Sequence, residues 1–258
     1  MTPIHRYIPS RERVKIGHIT PSSNTVLEPI TTLLTCELGA QVSNHFARIR
    51  VEAITLDPRH TSQFNAQAML TAGEQLADAG VDAIVWNGTS AGWNGIESDR
   101  AICAMIAERT GVPCSTTTLG QLELLALHGI TKCALALPYT DDVSARIIEM
   151  FAGEGVTIVA SASAQVSDNR AMALVSERQV RGLVSAADAP EAECVLIYCT
   201  GVAGAQLAGE LEAEIGKPVF DSVAVTLWKA LKMVGIEPRL SGWGSLLAGD
   251  ASSHLVRP

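Results

Sequence analysis

The stretch RTGVPCSTTTLGQLELL, residues 109–125, returns later in the chain as EIGKPVFDSVAVTLWKAL, residues 214–231. Each copy runs from a glycine through one residue to a proline, then a short strand-like piece, then an apolar run opened by Thr or Ser. A glycine just past a helix and a hydroxyl residue at the start of the next are stop and start signals for helices. Two further correspondences fall in the same order. GHITPSSN (17–24) parallels ALALPYTD (134–141), each a strand closed by a proline. DAIVWNGTSAG (82–92) parallels CVLIYCTGVAG (194–204), each an apolar run followed by a small-residue turn. Three matches in one order indicate a chain built from two similar halves, residues 1–127 and 128–258.

Strand character recurs at VKIGHIT (14–20), QVSNHFARIRV (41–51), DAIVWNG (82–88) and PCSTT (113–117). It recurs again at KCALALP (132–138), VTIVASA (156–162), CVLIYC (194–199) and PVFDS (218–222). Amphipathic runs at 27–38, 62–80, 96–110 and 118–129, then at 141–155, 170–188, 203–216 and 224–235, read as helices. Strands alternating with helices specify parallel βαβ units. The expected fold is therefore α/β: two pseudo-symmetric halves, each a four-stranded parallel sheet flanked by helices, with the active site in the cleft between them. Ligands bind outside the carboxyl ends of parallel strands. The turns after the first and third strands of each half, 21–25 and 88–90 facing 138–141 and 199–201, should share that cleft.

Composition narrows the function. Hydrophobic residues make up 47% of the 258 positions but aromatics only 4%, the aliphatic bias of buried parallel strands. A formal net charge of −8 disfavours nucleic acid, which demands a basic face. No apolar run approaches the ~20 residues that span a bilayer. The basic start MTPIHRYIPSRERVK has no apolar segment behind it and reads as a surface arm, not a signal peptide. The six cysteines are dispersed, with no CxxC pair and no histidine at ligand spacing. That pattern indicates free thiols in a cytoplasmic protein and no metal site. Cys36, Cys103, Cys133 and Cys194 lie in apolar runs and read as packing residues. Association into a homo-oligomer is allowed, and nothing in the sequence fixes it.

Cys199 differs from the other thiols. It stands where a strand gives way to a Thr-Gly turn and a helix, among backbone N–H groups that can bind an anion and lower a thiol's pKa. Gly88 occupies its counterpart position in the first half. Ser23 and Asn24 in TPSSNT can hold a carboxylate, and both residue types also serve as helix caps. Thr89 and Ser90, with the turn amides around Gly88, form a candidate oxyanion loop. Tyr139 supplies a phenol at a strand end, equally readable as a packed core ring. Asn169 precedes a helix, where a cap alone explains it.

The motifs TPSSNT, NGTSAGW, GVPCSTTTLGQLELLALHGITKCALALPYTDDVSARI, SDNRAMA, CVLIYCTG and GKPVFDSVAVTLWKAL together resemble the aspartate/glutamate racemase superfamily, in its arylmalonate decarboxylase and maleate cis-trans isomerase branch. The likeness covers nearly the whole chain after about residue 14. It implies a small carboxylate substrate, no cofactor, and a catalytic Cys199 with Asn24, Ser23, Gly88, Thr89, Ser90, Tyr139, Asn169 and Thr200 around the substrate's carboxylates. Racemases and maleate isomerases of the superfamily use two cysteines, one from each half. Here the first position is Gly88, which matches the decarboxylase pattern, while Asn24, Tyr139 and Asn169 look more like the isomerase side. The leading expectation is decarboxylation of a malonate-type diacid. An isomerase or racemase of a small carboxylate or amino-acid derivative, including one similar to ectoine-utilisation proteins, is the alternative. A carboxylate-binding protein without catalysis is the second.

Overall fold

The computed structural model describes residues 13–249; most of the predicted amino-terminal arm lies outside them. The first half runs β1 (Val14–Pro21), α1 (Leu27–Cys36), β2 (Val42–Ile49), α2 (Pro58–Thr61), α3 (Ala66–Asp78), β3 (Ala83–Trp86), α4 (Ala91–Asn94), α5 (Ile96–Thr110), β4 (Cys114–Thr116) and α6 (Thr117–Leu127). The second half runs β5 (Lys132–Leu137), α7 (Asp141–Gly153), β6 (Thr157–Ser163), α8 (Glu177–Ala187), β7 (Cys194–Ile197), α9 (Ala208–Ile215), β8 (Val219–Asp221), α10 (Ser222–Met233) and α11 (Ser245–Ala248). All eight expected strands form. They make two four-stranded sheets of the same order, β2-β1-β3-β4 and β6-β5-β7-β8, with every pairing parallel.

The opening repeat has one physical cause in both copies. Gly111 and Gly216 end α5 and α9 in the left-handed conformation, φ +72° and +70°, which only glycine adopts without strain. The proline two residues on cannot continue the helix, and a three-residue strand follows. Thr116 caps α6, accepting from the Leu119 N–H at 3.1 Å. Asp221 caps α10, accepting from the Val223 and Ala224 N–H groups at 2.8 and 3.1 Å. Strands β3 and β7, central in their sheets, are buried at every residue, so their unbroken apolar runs were readable as strands covered on both faces.

The halves do not fold side by side as separate globules. Helix α10 of the second half packs on α6, α1, β3 and β4 of the first, and α4 of the first packs on α7 of the second. Thr117 and Thr226 join α6 to α10 through a 2.7 Å hydroxyl pair.

Three expectations are corrected. The helix read over 170–188 is two pieces: a 3-10 turn at Ala171–Leu174, then α8, whose start is fixed by a capping box between Ser176 and Gln179. The helix read from 203 begins at Ala208, after a 3-10 turn at Ala205–Leu207. Cys36 is not a packing residue. It ends α1 exposed to solvent, because the buried stripe of that helix is Leu27, Ile30, Thr31, Leu34 and Thr35. Cys103, Cys133 and Cys194 are buried as expected.

Candidate active site

The turns after β1, β3, β5 and β7 converge between the two sheets. Asn24 donates to the Thr200 carbonyl at 3.0 Å and lies 3.3 Å from its hydroxyl, joining the halves. The same side chain accepts from the Val26 and Leu27 N–H groups and so starts α1; its cap and cleft placements coexist. Thr200 in turn donates to the Asn87 carbonyl at 3.1 Å. Thr89 Oγ1 lies 2.7 Å from the Tyr139 hydroxyl, again across the halves. Ser90 Oγ accepts from the Trp86 indole N–H at 3.1 Å. Asn169 donates to Ser23 Oγ at 2.7 Å, and Ser23 donates to the Val51 carbonyl. Asn169 is therefore a bridge between halves and not a cap; Asp168 does the local capping, accepting from the Ala171 N–H.

All the singled-out residues thus gather in one place. Asn24 and Tyr139 lie inside, each 2% exposed. Cys199 is 3% exposed. Its sulfur accepts from the Gly201 N–H at 3.3 Å and points its thiol at Met172 Sδ, 3.8 Å away. The Tyr139 hydroxyl stands near enough to the sulfur to favour the thiolate.

The turn's N–H groups do favour the thiolate of Cys199, as expected, but burial outweighs them. Burial pushes the thiol up from 9.0 to about 11, and Tyr139 and the Gly201 hydrogen bond offset only part of that. No helix starts at Cys199, since a turn and a 3-10 segment precede α9. Burial also raises the Tyr139 phenol well above 10. At neutral pH the pair is therefore two neutral donors, a thiol and a phenol, in a dry setting.

Several residues of the site went unread in the sequence. His18, fully buried on β1, holds the loop after β3. Its Nε2 lies 3.0 Å from Asn44 Oδ1 and its Nδ1 3.2 Å from Asn87 Nδ2. With asparagine oxygen at one end and asparagine nitrogen at the other, the ring is neutral with its proton on Nε2. Burial pushes its pKa down to about 4. Tyr198, next to Cys199, bonds Thr118 at 2.8 Å. Met172 covers the thiol. Trp86 alone carried a signal: residues 86 and 88 alternate along an extended chain and so share a side.

A shallow pocket of about 470 Å³ opens beside Ser23 and is lined by Ser22, Thr25, Arg50, Glu52, Asp168 and Arg170. Among the described residues no group of three or more His, Cys, Asp or Glu is placed to hold a metal. No described helix is long and apolar enough to cross a membrane.

The profile of the family described as arylmalonate decarboxylase matches residues 45–247. An arylmalonate decarboxylase of Bordetella bronchiseptica is 27% identical over 172 residues, 66% of this chain and 72% of that protein. A maleate isomerase of Alcaligenes faecalis is 23% identical over 251 residues, 91% of this chain and 96% of that one. Among solved structures, a Nocardia farcinica maleate cis-trans isomerase variant with a covalently bound succinylcysteine intermediate superposes with a TM-score of 0.84. It is 23% identical and covers 92% of this chain and 99% of that one.

Proposed function

The chain belongs to the arylmalonate decarboxylase family, and from that premise we propose that it decarboxylates a malonate-type dicarboxylic acid through an enediolate protonated by the single thiol of Cys199. The observation that carries this reading is the asymmetry of the cleft. One side offers a protonated thiol; the matching position on the other is Gly88. Racemisation needs an acid–base group on each face of the substrate carbon, and maleate isomerisation, as the resemblance implies it, begins with a thiolate at position 88. Decarboxylation with one-sided protonation needs neither.

In the reaction the bond between the α-carbon and one carboxylate breaks, and that carboxylate leaves as carbon dioxide. The bonding pair passes to the carboxylate that stays, giving the enediolate. Thr89 and Tyr139 turn from their mutual bond to its oxygens, and Ser90, which accepts from the Trp86 indole, gives its own hydroxyl proton without leaving the ring; each such donor contributes about 2.7–4 kcal/mol. Cys199 then gives its proton to carbon, and water restores the thiol. A thiol held near 11 suits this role, because it enters the cycle protonated.

The isomerase reading is favoured by a different observation, the Asn24 and Asn169 side chains that tie the halves beside the thiol. One experiment separates the readings. Native protein and Cys199→Ser are offered a panel of substituted malonates and maleate in deuterated water, followed by NMR and chiral analysis. The expected result is carbon dioxide release, one deuterium at the α-carbon in one configuration, and loss of nearly all turnover in the serine variant. Fumarate from maleate without carbon dioxide would establish the isomerase instead. A ligand-induced melting shift without turnover would leave only a carboxylate-binding protein.

A further inference from the structure

We propose that Trp86 is the specificity-determining residue that makes this cleft one-sided, by occupying the space into which any side chain at position 88 would project. The inference rests on the decarboxylase reading above and adds to it what enforces the single thiol. A Cβ built on Gly88 would lie 2.6 Å from the indole Nε1 and closer still to Cε2 and Cζ2. Nothing in the backbone asks for glycine there. Gly88 is not among the residues with positive φ, so its conformation is one that other residues adopt freely. The glycine is explained by the ring.

The ring cannot easily step aside. Trp86 is fully buried. Its Nε1 is held by Ser90 Oγ at 3.1 Å. Phe64 packs its edge against it at 6.2 Å, and Phe64 and Tyr139 both pack on Trp93, at 5.8 and 5.3 Å. The indole is thus locked between the oxyanion loop and an aromatic cluster that reaches Tyr139, the partner of Cys199. It stands where the second acid–base group of a two-base site would have to stand. An enediolate formed here has Cys199 as its proton donor and an indole in the place of the other. A cysteine placed at 88 cannot create a two-sided site unless the indole is removed as well.

The test has two readouts. In the first, melting temperatures are measured for the native protein, Gly88→Ala, Trp86→Val and the double variant. Gly88→Ala is expected to lower the melting temperature by several degrees in the native background and by little or nothing when Trp86→Val is already present. Equal losses in both backgrounds would show that ring and Cβ do not compete, and would overturn the proposal. In the second, α-proton exchange of the monocarboxylate product is followed in deuterated water. Gly88→Cys alone should exchange no faster than the native protein, and Gly88→Cys with Trp86→Val at least tenfold faster. Fast exchange by Gly88→Cys alone, or none by the double variant of an enzyme that releases carbon dioxide, would also overturn it. Should Gly88→Ala lower the melting temperature only where Trp86 is kept, while the native protein decarboxylates no malonate, the decarboxylase reading is overturned and the ring's exclusion of a side chain at 88 stands.

Discussion

Cys199 is where the sequence was most informative about place and least about state. A thiol closing an apolar strand before Thr-Gly marked the cleft, but its acidity depends on whether burial or the turn's N–H groups win. Those N–H groups are visible in the sequence; the buried setting made by Met172, Tyr139 and the opposite half is not. Burial wins, leaving the thiol near 11. The alkaline limb of the rate profile should therefore fall with an apparent pKa near 11 and not near 9, because the protonated thiol is the active form. Rates measured from about pH 7 to 11.5 would show this, and a limb centred at about 8–9, the range of an ordinary thiol, would mean that Cys199 is acidified after all. The other cysteines sort by face. Cys133 and Cys194 lie side by side on β5 and β7 with sulfurs 3.5 Å apart, so Cys194→Ala should cost about 1 kcal/mol through lost packing. Cys36→Ala, on the open side of α1, should leave the melting temperature within error, while neither change reduces turnover.

Among the elements, strands and caps were legible because each has a local cause: aliphatic runs for buried strands, Gly-x-Pro after a helix, Asn, Thr or Asp before one. The segment after β6 was misread because tertiary pairing decides it. Ala53 and Asp168 form an isolated antiparallel bridge, and Asn169 N–H donates to the Glu52 carbonyl at 3.1 Å, contacts between residues far apart in the chain. The His18 link from β1 to the loop after β3 was hidden for the same reason, since Asn44 and Asn87 meet it only once the sheet has formed. It makes a measurable prediction. A histidine whose folded pKa is depressed adds stability that is complete above its unfolded value, about 6.5, and is lost as pH falls toward the folded value, about 4. The full span corresponds to about 3 kcal/mol. Buried Asp99 and Asp221, both raised to about 7 by burial, act in the opposite sense: their contribution is complete below about 3.8 and fades as pH rises through 7. Comparing native protein with His18→Gln isolates the histidine. The native melting temperature should fall more steeply between pH 6.5 and 4 than that of the variant. Parallel curves would show that His18 keeps its proton when buried.

At the scale of the molecule, two sheets of identical order suggest two folding units, yet the packing joins them. The last long helix, α10, belongs to the second half by sequence and covers β3 and β4 of the first. Of its twelve residues, Ser222 to Leu227 with Trp228, Ala230 and Leu231 are buried, more than one amphipathic face could supply. A helix apolar on nearly all sides is one packed from nearly all sides, and here its neighbours come from both halves. Neither sheet keeps its cover if the other unfolds, and the cleft residues Asn24, Thr200, Thr89 and Tyr139 lose their partners in the same event. Calorimetry should therefore show a single transition, with calorimetric and van't Hoff enthalpies equal. Leu227→Ala, at a fully buried position, should cost about 2–5 kcal/mol and move that one transition down as a unit. Two resolved transitions, only one of them shifted by the substitution, would mean that the halves fold independently and that the cleft is assembled by docking. In that case the hydrogen bonds between Asn24 and Thr200 and between Asn169 and Ser23 would have to be what holds the site closed, and removing them would open the cleft without unfolding either sheet.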